Sequence, residues 1–207
     1  SGPCSDSAWA ITDTVIKGGT GHGLHFYYAV DNCPLTLTRV TLTRFNTATR
    51  FPLYYNNKVL SSPLTIVDST IEGYEYAIKF DKAVTSSPVT ITGSSLSNTE
   101  TTVATTAVVH FAESLTSSPV ALADTTVDTA KTTGIADGLQ FAGAMTDSAV
   151  SLTRVDVTAA DVGVSVITPP PVTKRVVEEG YRLGCRRFML QPGTYDAAVD
   201  DVIAGLG

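Results

Sequence analysis

The chain has 207 residues and a mass of 21.7 kDa, which is enough for one large hydrophobic core or two small ones and excludes a peptide hormone or a large multidomain enzyme. Hydrophobic residues make up 43% of the sequence and charged residues 16%, which is not the composition of a disordered chain. The 20 acidic residues outnumber the 14 basic ones, so we expect no nucleic-acid partner, and no apolar run is long enough to predict a membrane span.

A short motif recurs along the chain, in which an apolar residue is followed two positions later by an aromatic one. Its aromatic members are Phe26, Tyr55, Phe80, Phe111 and Phe141. Eight residues after each comes a second landmark; these landmarks are Pro34, Pro63, Pro88, Pro119 and Ala149. With Ala8 as the first landmark, the repeat length is 25 to 31 residues, which is typical of one coil of a solenoid.

Apolar residues also recur one, three and eight positions after each landmark, as at Trp9, Ile11 and Ile16 in the first unit. Apolar residues two apart, flanked by Thr and Ser, predict strands with one buried face, three to a unit. Such strands bury their inner faces only when units stack, with like residues about 4.8 Å apart. We therefore predict a mainly β protein, a right-handed parallel β-helix of about six coils, with loops at 97–106 and 128–137.

The repeat ends near Ile167, after which the spacing of apolar residues becomes helical. We predict a helix over 172–184, a strand over 187–190 and a second helix over about 194–206. The chain is thus divided into a parallel β-helix over residues 1–167 and an α/β tail over 168–207. One interpretation of the tail is a cap over the open strand edges at the end of the β-helix.

Two resemblances follow from these patterns. The coil pattern of residues 8–166 resembles the right-handed, pectin-lyase-like β-helix proteins, which include polysaccharide lyases and hydrolases, phage tailspikes and adhesins. Residues 162–207 resemble the second half of the CoA-binding, Rossmann-like domain related to the α-subunit of succinyl-CoA synthetase. The sequences that carry this resemblance are 164–173, 176–180 and 189–193. That resemblance implies CoA contacts at Thr168, Pro169, Pro170, Gln191, Pro192 and Gly193. The Gly-rich first half of that domain is replaced here by the β-helix.

Carboxylates for polysaccharide hydrolysis are candidates at the fifth position after each landmark. Asp68 and Asp124 fall there, two coils apart, and a pair of carboxylates can supply the acid and base for such a reaction. The alternative is structural, because Asp and Gly are also preferred at corners between strands.

Threonines at the outward positions of the first strand of each unit predict a flat hydroxyl-bearing face, formed by Thr36, Thr38, Thr65, Thr90 and Thr92. Such a face suits a protein or glycan partner, and it also resembles the ice-binding face of antifreeze β-helices. Threonine is equally a common residue of exposed strands. Val67, Ala121 and Ala123 interrupt the pattern.

The remaining reactive residues are three histidines and three cysteines. We interpret His22 as part of a glycine-rich corner and His25 and His110 as surface residues, with no zinc spacing and no metal site. Cys4 and Cys33 approach the same corner, which predicts a disulfide and an extracellular or cell-surface location. Cys185 is predicted to be a buried thiol.

Together these observations favour a non-enzymatic surface or structural module that binds a protein or glycan partner on flat faces. The alternatives are a carbohydrate-active enzyme, CoA or nucleotide binding by the tail, and ice binding. No cofactor other than CoA is expected.

Overall fold

The chain folds into a parallel β-solenoid, which confirms the predicted mainly β architecture. The computed structural model describes residues 3–18, 21–43, 45, 50–99, 105–129, 135–158, 164–166, 170–182, 188–190 and 196–205. Within this part of the chain, each turn of the solenoid is a rung of up to four short strands.

The strands follow the rungs in chain order. The first rung contains β1 (Cys4–Ser5), β2 (Trp9–Thr12), β3 (Val15–Lys17) and β4 (Leu24–Phe26). The second contains β5 (Val30–Asp31), β6 (Leu35–Thr38), β7 (Thr41–Thr43) and β8 (Leu53–Tyr55). The third contains β9 (Val59–Leu60), β10 (Leu64–Val67), β11 (Thr70–Gly73) and β12 (Ile78–Phe80). The fourth contains β13 (Val84–Thr85), β14 (Val89–Thr92), β15 (Ser95–Asn98) and β16 (Thr105–Phe111). The fifth contains β17 (Leu115–Thr116), β18 (Val120–Ala123), β19 (Thr126–Thr129) and β20 (Ile135–Phe141). The last contains β21 (Met145–Thr146), β22 (Val150–Thr153) and β23 (Asp156–Thr158).

Equivalent strands of successive rungs pair in parallel and form four sheets, named A to D in the order in which a rung visits them. The predicted register is confirmed, since Leu35, Leu64 and Val89 pair directly across sheet B. Sheet A was missed by the prediction of three strands per unit, because its strands are only two residues long and show no periodicity. The prediction of six coils was also too high. About four turns have a neighbouring rung on both sides within the described residues, since the strands of the first rung are each the first of their sheet there and the last rung has three described strands.

A column of stacked aromatic rings runs through the interior beside sheet D. Its members are Phe26, Tyr55, Phe80, Phe111 and Phe141. Successive ring centroids lie 4.6 to 5.1 Å apart, with planes within 7° of parallel. This is an offset stack set by the strand spacing, and it lies among fully buried aliphatic columns such as Leu37, Ile66 and Ile91.

Two corners of every rung have left-handed backbone conformation. The corner between sheets A and B has φ of 48° to 52° at Asp6, Asn32, Ser61, Ser86, Ser117 and Asp147. The corner between sheets B and C has φ of 49° to 60° at Asp13, Arg39, Asp68, Gly93, Asp124 and Arg154. Short polar residues and glycine tolerate this conformation best, so the second column, which contains Asp68 and Asp124, has a clear structural role.

Serine hydroxyls link neighbouring rungs behind the first of these corners. The backbone N–H of Ser62 donates to Oγ of Ser87 at 2.9 Å, and that of Ser87 donates to Oγ of Ser118 at 3.0 Å. Each hydroxyl in turn donates to the carbonyl two residues earlier in its own chain, as Ser87 does to Thr85. These bonds satisfy buried backbone groups that the turn would otherwise leave unpaired.

The carboxy-terminal segment has the predicted order of strand, helix, strand, helix. It consists of β24 (Val164–Val166), α1 (Pro170–Arg182), β25 (Phe188–Leu190) and α2 (Ala197–Gly205), with β24 and β25 parallel. Helix α1 begins two residues earlier than predicted, because proline is tolerated in a first helical turn. Helix α2 begins later, since the carboxylate of Asp196 caps it by accepting the N–H groups of Ala198 and Val199.

Both predicted loops were too long. Strands occupy 97–98 and 105–106 in the first, and 128–129 and 135–137 in the second, while the residues between lie outside the described part of the chain. Strand β24 lies beside β20. The proposed division at residue 167 and the capping role of the tail stay predictions.

Candidate functional site

A groove of about 540 Å³ lies on the outer face of sheet D in the first three rungs. Three kinds of segment line it. The outward residues of strands β4, β8 and β12 supply His25, Tyr54 and Lys79, which lie in register across the sheet. The connections that lead from sheet C to sheet D supply His22, Arg50, Phe51, Glu75 and Tyr76. The residues just after β4 and β8 supply Tyr27 and Asn56.

The floor of the groove is aromatic. Phe51 and Tyr54 are buried, with ring centroids 5.1 Å apart in an edge-to-face arrangement. The His25 ring stacks on Tyr54 at 4.8 Å, with the planes 14° apart. His22 lies 4.4 Å from His25 and 4.9 Å from Tyr54 and accepts the Phe51 backbone N–H at Nδ1. The exposed Tyr27 ring contacts His25 edge-on and forms one wall.

The close approach of the first two rungs beside this floor requires glycine. A Cβ atom at Gly23 would overlap the backbone of Pro52 and the ring of Phe45. The described part of the glycine-rich segment, from Gly21 to Gly23, thus brings His22 against the second rung.

Lys79 carries a cation at the centre of the groove. Its Nζ lies 4.8 Å from the ring centroid of Phe51 and 5.2 Å from that of Tyr76, and it forms a 3.0 Å ion pair with Asp81. Contacts of an ammonium group with ring faces add to the ion pair. The ammonium group is therefore held in one place by two rings and one carboxylate.

The Tyr54 hydroxyl donates to the same Asp81 carboxylate and lies 2.6 Å from Oδ1 of Asn56. Burial and this hydrogen bond raise the pKa of Tyr54. Because the phenol stays protonated at neutral pH, it acts as a hydrogen-bond donor and not as a base. Asp81 thus holds both the Lys79 ammonium group and the Tyr54 hydroxyl in place.

The histidines of the groove are neutral at pH 7. Burial, assisted by the charges of nearby Arg50 and Lys79, lowers the pKa of His22 to about 4. Burial also lowers the pKa of His25. Neutral imidazole rings offer flat apolar faces together with one donor and one acceptor each.

The next rung extends this surface through His110. Its ring stacks on Tyr76 at 5.0 Å, with planes 18° apart. Burial lowers its pKa to about 4, and its Nδ1 is buried without a hydrogen-bond partner in the described part of the protein. The interpretation of His110 as a simple surface residue was therefore wrong, whereas His25 is exposed as predicted, with one face of its ring covered by Tyr54.

Comparisons of the sequence and structure with models of known protein families, with curated proteins and with solved structures find no match. No helix of the described residues has the length and apolarity needed to span a membrane. Over the same residues, no group of three His, Cys, Asp or Glu side chains has the arrangement of a metal site.

The predicted carboxylates lie away from the groove, in the left-handed corner between sheets B and C. Asp124 forms a bidentate ion pair with Arg154, at 2.5 and 2.7 Å, and this pairing lowers the pKa of the aspartate. Asp68 is separated from it by the rung of Gly93, so the two carboxylates are about 10 Å apart by strand spacing. A catalytic role for Asp68 and Asp124 stays a prediction that this geometry does not favour.

The threonine face lies where it was predicted, on the outside of sheet B. Thr36, Thr65 and Thr90 are paired in one row, and Thr38 and Thr92 lie in the next row with Val67 between them. These side chains are half-buried or exposed, so the face is open to solvent.

The predicted disulfide between Cys4 and Cys33 is present, with the Cα atoms 6.3 Å apart. Of the residues at which the resemblance implies CoA contacts, Pro170 alone lies in the described part of the chain. Pro170 opens helix α1, while Thr168, Pro169, Gln191, Pro192, Gly193 and also Cys185 are not described.

The groove itself was missed by the sequence analysis. The outward column of His25, Tyr54 and Lys79 was visible from the repeat, but a repeat does not show how connections of different length fold over a sheet. The available signal was the set of aromatic residues in two of those connections, at Phe51 and Tyr76.

Proposed function

We propose that this protein is a non-enzymatic glycan-binding module and that the groove on sheet D is its binding site. The observation that carries the proposal is the combination, in one groove, of open ring surfaces and fixed polar groups. Tyr27 and His25 supply exposed ring surfaces, and Asn56, Glu75 and Lys79, whose ammonium group Tyr76 helps to hold, supply hydrogen-bonding groups beside them.

This combination matches the chemistry of sugars. A pyranose ring has C–H groups on one or both faces, which pack on an aromatic ring, and hydroxyls at its edge, which need donors and acceptors. Lys79 is held by Asp81 and two rings, so little conformational entropy is lost when it binds a hydroxyl. The site is thus preorganised for a polar ligand with an apolar face.

A glycan microarray, together with pull-down on insoluble cellulose, chitin, xylan and pectate, tests the proposal. We expect binding to at least one glycan class. Tyr76→Ala and Asn56→Ala are each expected to weaken it tenfold or more, which corresponds to about 1.4 kcal/mol. Leu60→Ala is the matched control, because Leu60 is exposed on sheet A and does not line the groove. Binding that all three variants retain would contradict the assignment of the site.

Two features favour a non-enzymatic binding module over a carbohydrate-active enzyme. Tyr54 is protonated and bound to Asp81, and Asp124 is engaged by Arg154. A pectin-lyase-like activity remains the second hypothesis, based on the coil pattern alone. Release of new reducing ends or unsaturated sugars from polysaccharide, lost in Asp68→Asn or Asp124→Asn, would favour it.

The other hypotheses have direct tests. CoA binding by the tail predicts heat on calorimetric titration with CoA. Ice binding by the threonine face predicts thermal hysteresis that Thr65→Asp abolishes, although the alanines of β18 interrupt the rows. We also propose an extracellular or cell-surface location, which the Cys4–Cys33 disulfide supports.

A further inference from the structure

Two rungs are joined beside the groove by a hydrogen bond whose acceptor can be protonated. The backbone N–H of Phe51 donates to Nδ1 of His22 at 3.0 Å. Next to it, the N–H of Gly23 donates to the carbonyl of Phe51 at 3.1 Å, which is the backbone pairing that also joins the strands of the sheets. An imidazole nitrogen therefore takes the place of a carbonyl oxygen at one step between the first and second rungs.

Protonation of His22 removes this acceptor. A neutral imidazole has one nitrogen that accepts a hydrogen bond, whereas both nitrogens of the charged ring are donors. The N–H of Phe51 then faces a second N–H group. Because Phe51 is buried, its amide has no water to replace the lost acceptor, and an unpaired amide is unfavourable there.

The side chains that face His22 do not compensate a positive charge on its ring. His25 of β4 and Tyr54 of β8 contact it as uncharged rings, with centroids at 4.4 and 4.9 Å. Arg50, in the connection before β8, and Lys79, on β12, carry positive charges that oppose its protonation.

Glu75 lines the same groove but is not among the charges that act on His22. A charged His22 is therefore accommodated best when the connection that contains Arg50 and Phe51 moves away from it.

We propose that the hydrogen bond from Phe51 to His22 is an acid-sensitive switch, which holds the groove closed at neutral pH and releases its floor in acid. The direction follows from linkage. The closed form lowers the pKa of His22 to about 4, and opening returns it toward the ordinary value, so protons bind the open form more tightly.

Opening changes the binding surface itself. The Phe51 ring is part of the floor, and its centroid lies 4.8 Å from Nζ of Lys79. When the connection moves, Lys79 loses one of the rings that hold its ammonium group. Acid thus removes both the shape of the floor and the fixed position of the cation above it.

Hydrogen exchange measured by NMR from about pH 6 to about pH 3.5 tests the switch without any ligand. The protection factor of the Phe51 amide, which corrects for the intrinsic effect of pH on exchange, is expected to fall at least tenfold. The methylene resonances of Lys79 next to the Phe51 ring should shift over the same range. The internal control is the amide of Leu53, which donates to the carbonyl of Ala77 and should lose less protection.

His22→Asn is the decisive variant. Its amide oxygen occupies the same position along the side chain as Nδ1, accepts a hydrogen bond and does not titrate. The Phe51 amide of this variant should keep its protection over the whole pH range, as should that of His22→Gln. His25→Asn is the matched control, because the His25 ring stacks on Tyr54, and this variant should retain the acid-induced loss.

Constant protection of the Phe51 amide in the parent protein would overturn the proposal. An equal loss in His22→Asn would do the same, since it would assign the effect to another group. An equal loss at Leu53 would also overturn it, because it would indicate unfolding of the whole solenoid and not local opening. None of these outcomes depends on whether the groove binds glycan.

Discussion

The Cys4–Cys33 disulfide lies where later rungs are linked by a column of hydrogen-bonded serines. The contribution of the disulfide to stability can therefore be compared with that of a serine at the same position. Cys33 occupies the position that Ser62, Ser87, Ser118 and Ser148 hold in later rungs. Replacing both Cys4 and Cys33 by alanine removes the covalent link and adds no hydrogen bond. Replacing both by serine removes the same link but restores the hydroxyl of the column.

The magnitude follows from the spacing of the two cysteines. Their separation of 29 residues gives a loop-closure contribution of about 3.6 kcal/mol at 25 °C in the chain-entropy treatment. For a chain of this size, that corresponds to a decrease in Tm of about 10 °C. A serine hydroxyl at position 33 would donate to the carbonyl of Asp31, as Ser62 does to Leu60, and accept the N–H of Ser7. Each bond contributes about 0.5–1.5 kcal/mol, so with two bonds the serine variant should be more stable than the alanine variant by about 1–3 kcal/mol.

Urea unfolding of the three proteins provides the assay, with hydrogen exchange to localise the loss to the first rung. The parent protein treated with reductant is the control and should be destabilised in the same rung. Equal midpoints for the alanine and serine variants would refute the hydrogen-bond column at this position. A loss below about 1 kcal/mol in both variants would refute the loop-closure estimate.

Three further outcomes are expected. Phe80→Ala removes a fully buried ring from the middle of the stack and should lower the free energy of unfolding in urea by about 3–5 kcal/mol, whereas Phe80→Leu should cost clearly less. Ser87→Ala leaves the buried N–H of Ser62 without its acceptor, so we expect the free energy of unfolding to fall by about 1–3 kcal/mol and the Ser62 amide to exchange faster. An unchanged exchange rate would contradict the hydrogen bond between the two serines. The pKa values of His22 and His110 are lowered from 6.5 to about 4 in the folded protein, so the unfolded chain binds more protons between these values. The free energy of unfolding should therefore fall as the pH decreases from 6.5 to 4. The urea midpoint of a His22→Gln, His110→Gln double variant should fall less steeply over this range. Equal slopes for the variant and the parent would contradict the burial of these histidines.

The repeat made most of the fold predictable, because a solenoid converts spacing along the sequence directly into stacking in space. The aromatic column from Phe26 to Phe141 and the corner column with Asp68 both follow from counting residues. The two-residue strands of sheet A, such as Val59–Leu60, were not predictable in this way, since a pair of residues has no period. The number of complete turns was overestimated because a repeat in sequence does not show which rungs have neighbours on both sides.

The groove was harder to predict because its parts come from segments that do not repeat. His25, Tyr54 and Lys79 share a column, but Phe51 and Tyr76 reach the floor through connections of different length. The pKa of Tyr54 depends on Asp81 and on burial under those connections, neither of which is apparent from the residue's own position. Sequence reasoning gave more weight to Asp68 and Asp124, which have the right chemistry but lie at corners where backbone conformation explains them.

The placement of the unequal connections has a consequence for how such a protein diversifies. Differences in unit length fall between the third strand and the aromatic strand, at the corner that overhangs the groove, while the other corners keep constant spacing. Insertions or deletions there change the walls of the groove and leave the stacking of rungs intact. Recognition can therefore be remodelled one coil at a time, with a rigid spine inherited unchanged from variant to variant.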